Sequence, residues 1–154
     1  MKIIELKPRE EQSDDIKLNR LYLQLDTYLK EVNKKELPQP IVDSVNQTIE
    51  EINSSVLKRN ALSRFVKRKQ TQIIHTIQKE LKIVPKKYYR NMWLALGMTA
   101  FGLPIGVAIG MSLGNIGLLG IGLPIGMVFG LFVGKKMDQK AFEENRQLDV
   151  EIKY

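Results

Sequence analysis

The chain has 154 residues, 24 lysines and arginines against 17 acids, no cysteine and a net charge of +7. Its mean hydropathy is −0.19. Without cysteine there is no disulfide framework and no thiolate chemistry, and the length allows one soluble core or a small soluble domain with a membrane segment. The charge is unevenly placed: residues 1–57 carry 8 basic and 11 acidic side chains, 58–90 carry 11 and 1, 91–134 carry none, and 135–154 carry 5 of each.

Met1–Lys7 is short, apolar and compatible with a β-strand, with no long apolar stretch or cleavage site of a secretory signal. Leu18, Leu21, Leu25, Tyr28 and Val32 then recur at spacings of 3, 4, 3 and 4. That is the stripe of an amphipathic helix, and Ser13 with Asp14 and Asp15 supplies its N-terminal cap. Leu37-Pro38-Gln39-Pro40 separates it from a second stripe of Val42, Val45, Ile49, Ile52 and Val56, with Pro40 in the first turn. A third helix is expected over about Asn60–Ile83, from Leu62, Phe65, Val66, Ile73, Ile77, Leu81 and Val84. Pro85 biases Val84 away from helix and ends it. The three helices suit a small antiparallel bundle over residues 1–85; pairing of the heptad-like stripes between subunits is the other use for them.

The basic block lies on and after the third helix. Lys67, Arg68 and Lys69 are followed by Lys86, Lys87 and Arg90, directly before the uncharged segment. Topology and attraction to anionic lipid headgroups explain such a block. Nucleic acid is the less favoured partner. His75, the single histidine, has no cysteine or base beside it, and the acidic pairs lack the spacing of a metal loop. No phosphate-binding loop is present. Neither catalytic residues, a metal nor a cofactor is expected, so the reading is not an enzyme.

All eleven glycines lie between Gly97 and Gly134. Eight form two rows at four-residue spacing: Gly102, Gly106, Gly110, Gly114, then Gly122, Gly126, Gly130, Gly134. Each row opens a groove along one helix face, and in an apolar segment such grooves let helices pack backbone to backbone. The 44 uncharged residues suit two crossings, expected near 89–113 and 118–134, with the turn at Asn115-Ile116-Gly117. Pro104 and Pro124 sit near the middle of each span, where they can kink it. The flanking Lys135 and Lys136, with Lys86, Lys87 and Arg90, place both chain ends on the cytoplasmic side. Tyr88, Tyr89 and Trp93 suit an interfacial aromatic belt. Two glycine faces on one hairpin can pack on each other or on other copies.

The tail, 135–154, begins as a helix through about Arg146 and ends with Leu148, Val150, Ile152 and Tyr154 alternating with charged residues. That is strand periodicity, and the two chain ends are expected to pair as a short sheet.

The repeated Gly-Leu-Pro-Ile-Gly, at 102–106 and 122–126, the glycine rows and the tail 136–141 (Lys-Met-Asp-Gln-Lys-Ala) resemble a bacterial family of glycine-zipper proteins. The resemblance covers about Trp93–Leu148 and implies a membrane hairpin, with no settled activity or catalytic residue. The expectation is an all-α membrane protein of the bacterial inner membrane. A cytoplasmic helical bundle for binding a partner precedes a glycine-zipper hairpin (86–134) that anchors the chain and self-associates into a homo-oligomer. The alternatives are a pore-forming or membrane-disrupting effector, and a regulatory subunit of a larger membrane complex.

Overall fold

The computed structural model describes residues 2–8 and 15–152. The chain divides into two compact units: Met1–Val84 with Leu148–Val150, and Pro85–Gln147 with Glu151–Tyr154.

In the first unit α1 spans Ile16–Val32, α2 Gln39–Ser54 and α3 Arg59–Leu81. Helix α3 packs against both α1 and α2. Asp15 is the cap of α1: its carboxylate accepts from the amides of Lys17 and Leu18 at 2.9 and 3.0 Å. Ser13 and Asp14 lie outside the described residues. The core comes from the expected stripes: Leu18, Leu25, Tyr28 and Val32 of α1, Val42, Val45, Ile49 and Ile52 of α2, and Leu62, Val66, Ile73 and Ile77 of α3 are all buried. Leu21, Phe65 and Leu81 are half-buried, and Val56 is exposed. The second helix stops at Ser54, so Val56 falls beyond the stripe and is 90% exposed.

Among the described residues, the chain ends do not pair with each other. The sheet has two strands, β1 (Val84–Lys86) and β2 (Gln147–Glu151). Pro85 explains the extended conformation at Val84. The C-terminal alternation does form a strand, with Leu148 and Val150 buried, but its partner is the segment before the hairpin. Residues 2–8 take no strand assignment. Three asparagine side chains hold them instead.

Asn33, the C-cap of α1, accepts from the amide of Ile3 at 3.0 Å. Asn46 accepts from Ile4 and Asn53 from Lys7, each at 2.9 Å. The same side chains donate back, Asn53 to the Glu5 carbonyl at 3.2 Å and Asn46 to that of Lys2 at 3.5 Å. A carboxamide has both functions on one planar group, so it can substitute for a neighbouring strand. Asn46 and Asn53 are seven residues apart, two turns of α2, which puts both on one face.

Replacing Asn46 by alanine should cost about 1 kcal/mol locally. Amide exchange at Ile4 is expected to quicken about fivefold or more, with the amides of Ile49 and Ile73 unchanged. Unaltered exchange at Ile4 would show that the carboxamide does not hold the segment.

Candidate functional site

The second unit is built on two long helices. The first, α4, runs Tyr88–Ser112 and the second, α5, Ile116–Glu143. Both are long and apolar enough to cross a membrane, and only 22% and 17% of their most apolar stretches is buried inside the protein. From Asn91 to Ser112 the first rises about 33 Å, and from Ile116 to Gly134 the second rises about 28 Å, close to the hydrocarbon thickness.

The connection is tighter than the sequence suggested. The residue with positive φ is Gly114 (+64°), not Gly117. The Asn115 amide donates to the Gly110 carbonyl at 2.9 Å and the Gly114 amide to that of Met111 at 3.3 Å. These two bonds are the Schellman ending of a helix. Asn115 then caps α5, its side chain accepting from the Gly117 amide at 3.0 Å. Gly114 thus belongs to the turn, and a Cβ there would meet nothing within 4 Å. The packing row of α4 is Gly97, Gly102, Gly106 and Gly110: at the first three, backbone of α5 stands where a side chain would be, and at Gly110 the Asn115 carbonyl oxygen lies 3.3 Å from the position of a Cβ.

Gly97 and Gly102 are five apart, which would break a four-residue row in an α-helix. The segment Gly97–Gly102 is π-helical. Its wider turn absorbs the extra residue and keeps both glycines facing α5. It also falls just before Pro104, whose ring would press on the carbonyl four residues back in a regular helix. In α5, Pro124 lies within the α-helix and the row keeps its strict spacing.

The two rows face each other. The position of a Cβ on Gly97 is taken by the carbonyl oxygen of Gly126, and that on Gly126 by the carbonyl oxygen of Gly97. Gly102 and Gly122 repeat the arrangement. On Gly126 a Cβ would also lie 2.6 Å from the Gly102 nitrogen and 2.7 Å from its Cα. Gly130 meets Trp93, and Gly134 meets Tyr89 and Arg90. In each reciprocal pair the second α-hydrogen replaces a side chain and points at a facing carbonyl. Such Cα–H···O contacts contribute about 0.5–1 kcal/mol each. Both glycine faces are consumed within one hairpin.

One turn past Gly134, the same stripe of α5 carries Asp138. Its two carboxylate oxygens accept from the amides of Tyr89 and Arg90, each at 3.0 Å. These are orphan donors in the first turn of α4, whose N-cap residue Lys87 has no side-chain cap bond. A carboxylate from the partner helix therefore caps α4 from the side. Burial pushes the Asp138 carboxyl above its ordinary range, against the opposing pull of the two amides and Arg90. Sequence reading passed over Asp138, although the spacing of the glycine row, continued by four, lands on it.

The aromatic positions are only partly exposed. Tyr89 is buried and its ring stands edge-on to Tyr88 at 5.3 Å. The Trp93 indole donates to the Met137 sulfur at 2.8 Å. The basic residues are not equivalent either. Lys69 is ion-paired with Glu51 and its side chain is 12% exposed. Lys67 and Arg68 are exposed on α3, the latter 5.7 Å above the Phe65 ring. Lys136 sits 4.8 Å above the Phe132 ring. Lys86, Lys87, Arg90 and Lys135 line one cavity. His75 is exposed, and no group of three metal-ligating side chains occurs among the described residues.

No protein-family model, curated protein or solved structure matches this chain.

A Gly126→Ala variant has to open the seam. Overpacking of this kind costs about 1–3 kcal/mol, and thermal unfolding in detergent, followed by the single tryptophan beside Gly130, should report it. Gly120 has nothing within 4 Å of its absent Cβ, so Gly120→Ala is the matched control and should be neutral. Equal losses from both would rule out the seam as the site of the effect.

Proposed function

We propose that this chain is a non-enzymatic integral membrane protein whose glycine-seamed hairpin anchors a helical interaction domain at the cytoplasmic face of a bacterial inner membrane. The observation that carries the reading is the division of labour on the hairpin helices. Their inner faces are nearly bare backbone in mutual contact. Their outer faces expose Phe101, Leu103, Val107, Val128, Phe129 and Phe132. Water favours the opposite arrangement, because each of these side chains would lose about 1.5–3 kcal/mol relative to burial. Lipid removes that penalty and makes the internally bonded helix obligatory.

The charges add direction. In an antiparallel pair the residues before α4 and after Gly134 emerge at one end, and both carry lysine or arginine. Retention of such residues on the cytoplasmic side supports a cytoplasmic position for the helices α1–α3. The π-turn and the reciprocal glycine contacts favour a hairpin closed on itself over an aqueous pore. Thr99, a polar residue inside the first span, donates its hydroxyl to the Ala95 carbonyl at 3.0 Å within its own helix. Self-association, where it occurs, then uses outer side chains rather than glycine faces.

Alkaline carbonate extraction of membranes from cells expressing the full chain tests the assignment. The chain is expected in the pellet, resistant to carbonate and released by detergent. Recovery in the supernatant without detergent would refute it.

A further inference from the structure

Residues 2–8 occupy a groove bordered by α1 and α2, and the side chains that hold them measure out extended backbone. Asn46 donates to the Lys2 carbonyl at 3.5 Å and accepts from the Ile4 amide at 2.9 Å. Asn53 repeats this three residues on, with the Glu5 carbonyl at 3.2 Å and the Lys7 amide at 2.9 Å. Each asparagine takes a carbonyl and the amide two residues later. Seven residues of helix rise about 10.5 Å and three extended residues span about 10 Å, so the two rungs stay in step. From α1, Asn33 engages both the amide and the carbonyl of Ile3, at 3.0 and 3.5 Å. All of these bonds go to main-chain atoms of the segment, so the groove holds an extended chain without reading its sequence. Among the described residues of the segment only Ile3 is buried, at 5% exposure.

The resident segment leaves that groove underfilled. Beside it, an open cavity of about 880 Å³ is lined by Ile4, Glu5 and Lys7 and by Glu50, Asn53 and Ser54 of α2. A second, of about 220 Å³, lies between Leu6 and Pro8 and the α1 residues Tyr22, Leu23 and Asp26. A different extended peptide gains contacts there that residues 2–8 do not make. The acid that α2 presents to the larger cavity is Glu50, which suits a long basic side chain at the position of Lys7. We propose that the α1–α2 groove is a docking site for an extended peptide of a partner protein, with residues 2–8 as its self-inhibiting occupant. The peptide carries an aliphatic anchor at the Ile3 position, a large apolar residue at the Leu6 position and arginine at the Lys7 position. Residues 2–8 of a second copy are the poorer occupant. Residues 9–14 tether the resident to α1, so the same segment from another molecule competes against a higher local concentration and brings no new contact. A partner peptide offsets that disadvantage with contacts in the two cavities. The inference rests on the reading of α1–α3 as an interaction domain and gives that domain a defined site.

The test uses the full chain in mild detergent and fluorescein-labelled peptides with the sequence of residues 2–8, read by fluorescence anisotropy. In the chain, Ile3→Asp makes the anchor too costly to bury and releases the resident. The released chain should bind the peptide about tenfold more tightly than the intact chain does, because the resident no longer competes. Adding Asn46→Ala and Asn53→Ala to the released chain should weaken capture about twentyfold. A peptide carrying Leu6→Trp and Lys7→Arg should bind more tightly than the parent sequence. Protected amides at Ile49 and Ile73 check that each variant keeps its helices. In the unaltered chain, an excess of the doubly substituted peptide should quicken amide exchange at Ile4 as the resident is displaced. No capture by the released chain, capture indifferent to the asparagines, equal affinity for intact and released chains, or a substituted peptide that binds no better would overturn the proposal. So would a dimer of the intact chain that Ile3→Asp abolishes, which would make a second copy the occupant. A chain that resists carbonate yet captures no peptide fails here alone, whereas one that captures peptide but is recovered free of membranes fails only the anchoring reading.

Discussion

The hairpin depends on the absence of side chains along one line. Where Gly97 meets Gly126 and Gly102 meets Gly122, each backbone occupies the space a Cβ would need on the other. A single methyl on that line cannot be accommodated by rotating a side chain, because the opposing atoms are backbone. The contact is thus all-or-nothing in a way that ordinary core packing is not. It also fixes the register, since sliding one helix by a residue would bring Leu123 or Met127 against the partner backbone.

Both ends of the seam are closed by backbone hydrogen bonding rather than by apolar packing. At the turn, the Schellman bonds of Gly114 and Asn115 satisfy carbonyls of the last turn of α4. At the other end, Asp138 satisfies two amides of the opposite helix. The tail helix, Lys135–Glu143, continues α5 without a break, so the residue that caps α4 is carried on the same rod as the glycines that admit it. The cationic cavity follows from the same geometry. Close approach at Gly134 brings Arg90 against α5, where it lines one cavity with Lys135 and Asp138.

Much of this was legible in the residues. The stripes of α1 to α3, the break at Pro85, the two apolar helices and the row Gly122–Gly134 all follow from periodicity. Three things did not. The four-residue rule selected Gly114 and passed over Gly97, because a π-turn is a response to Pro104 and to the partner helix, not a local propensity. The chain ends matched strand patterns, yet pairing is a tertiary choice: β2 found Val84–Lys86, and the N-terminal segment found three carboxamides instead. Asp138 looked like one charge among ten in a mixed tail, because capping between helices leaves no mark within a single helix.

The central claim is that the glycine rows meet within one molecule. Solid-state NMR on chain labelled at glycine Cα and diluted into unlabelled chain in bilayers measures this directly. Cross-peaks joining Gly102 to Gly122 and Gly97 to Gly126 should persist undiminished per labelled molecule on dilution. Their disappearance on dilution would place the contacts between molecules, and their absence at any dilution would contradict the seam itself.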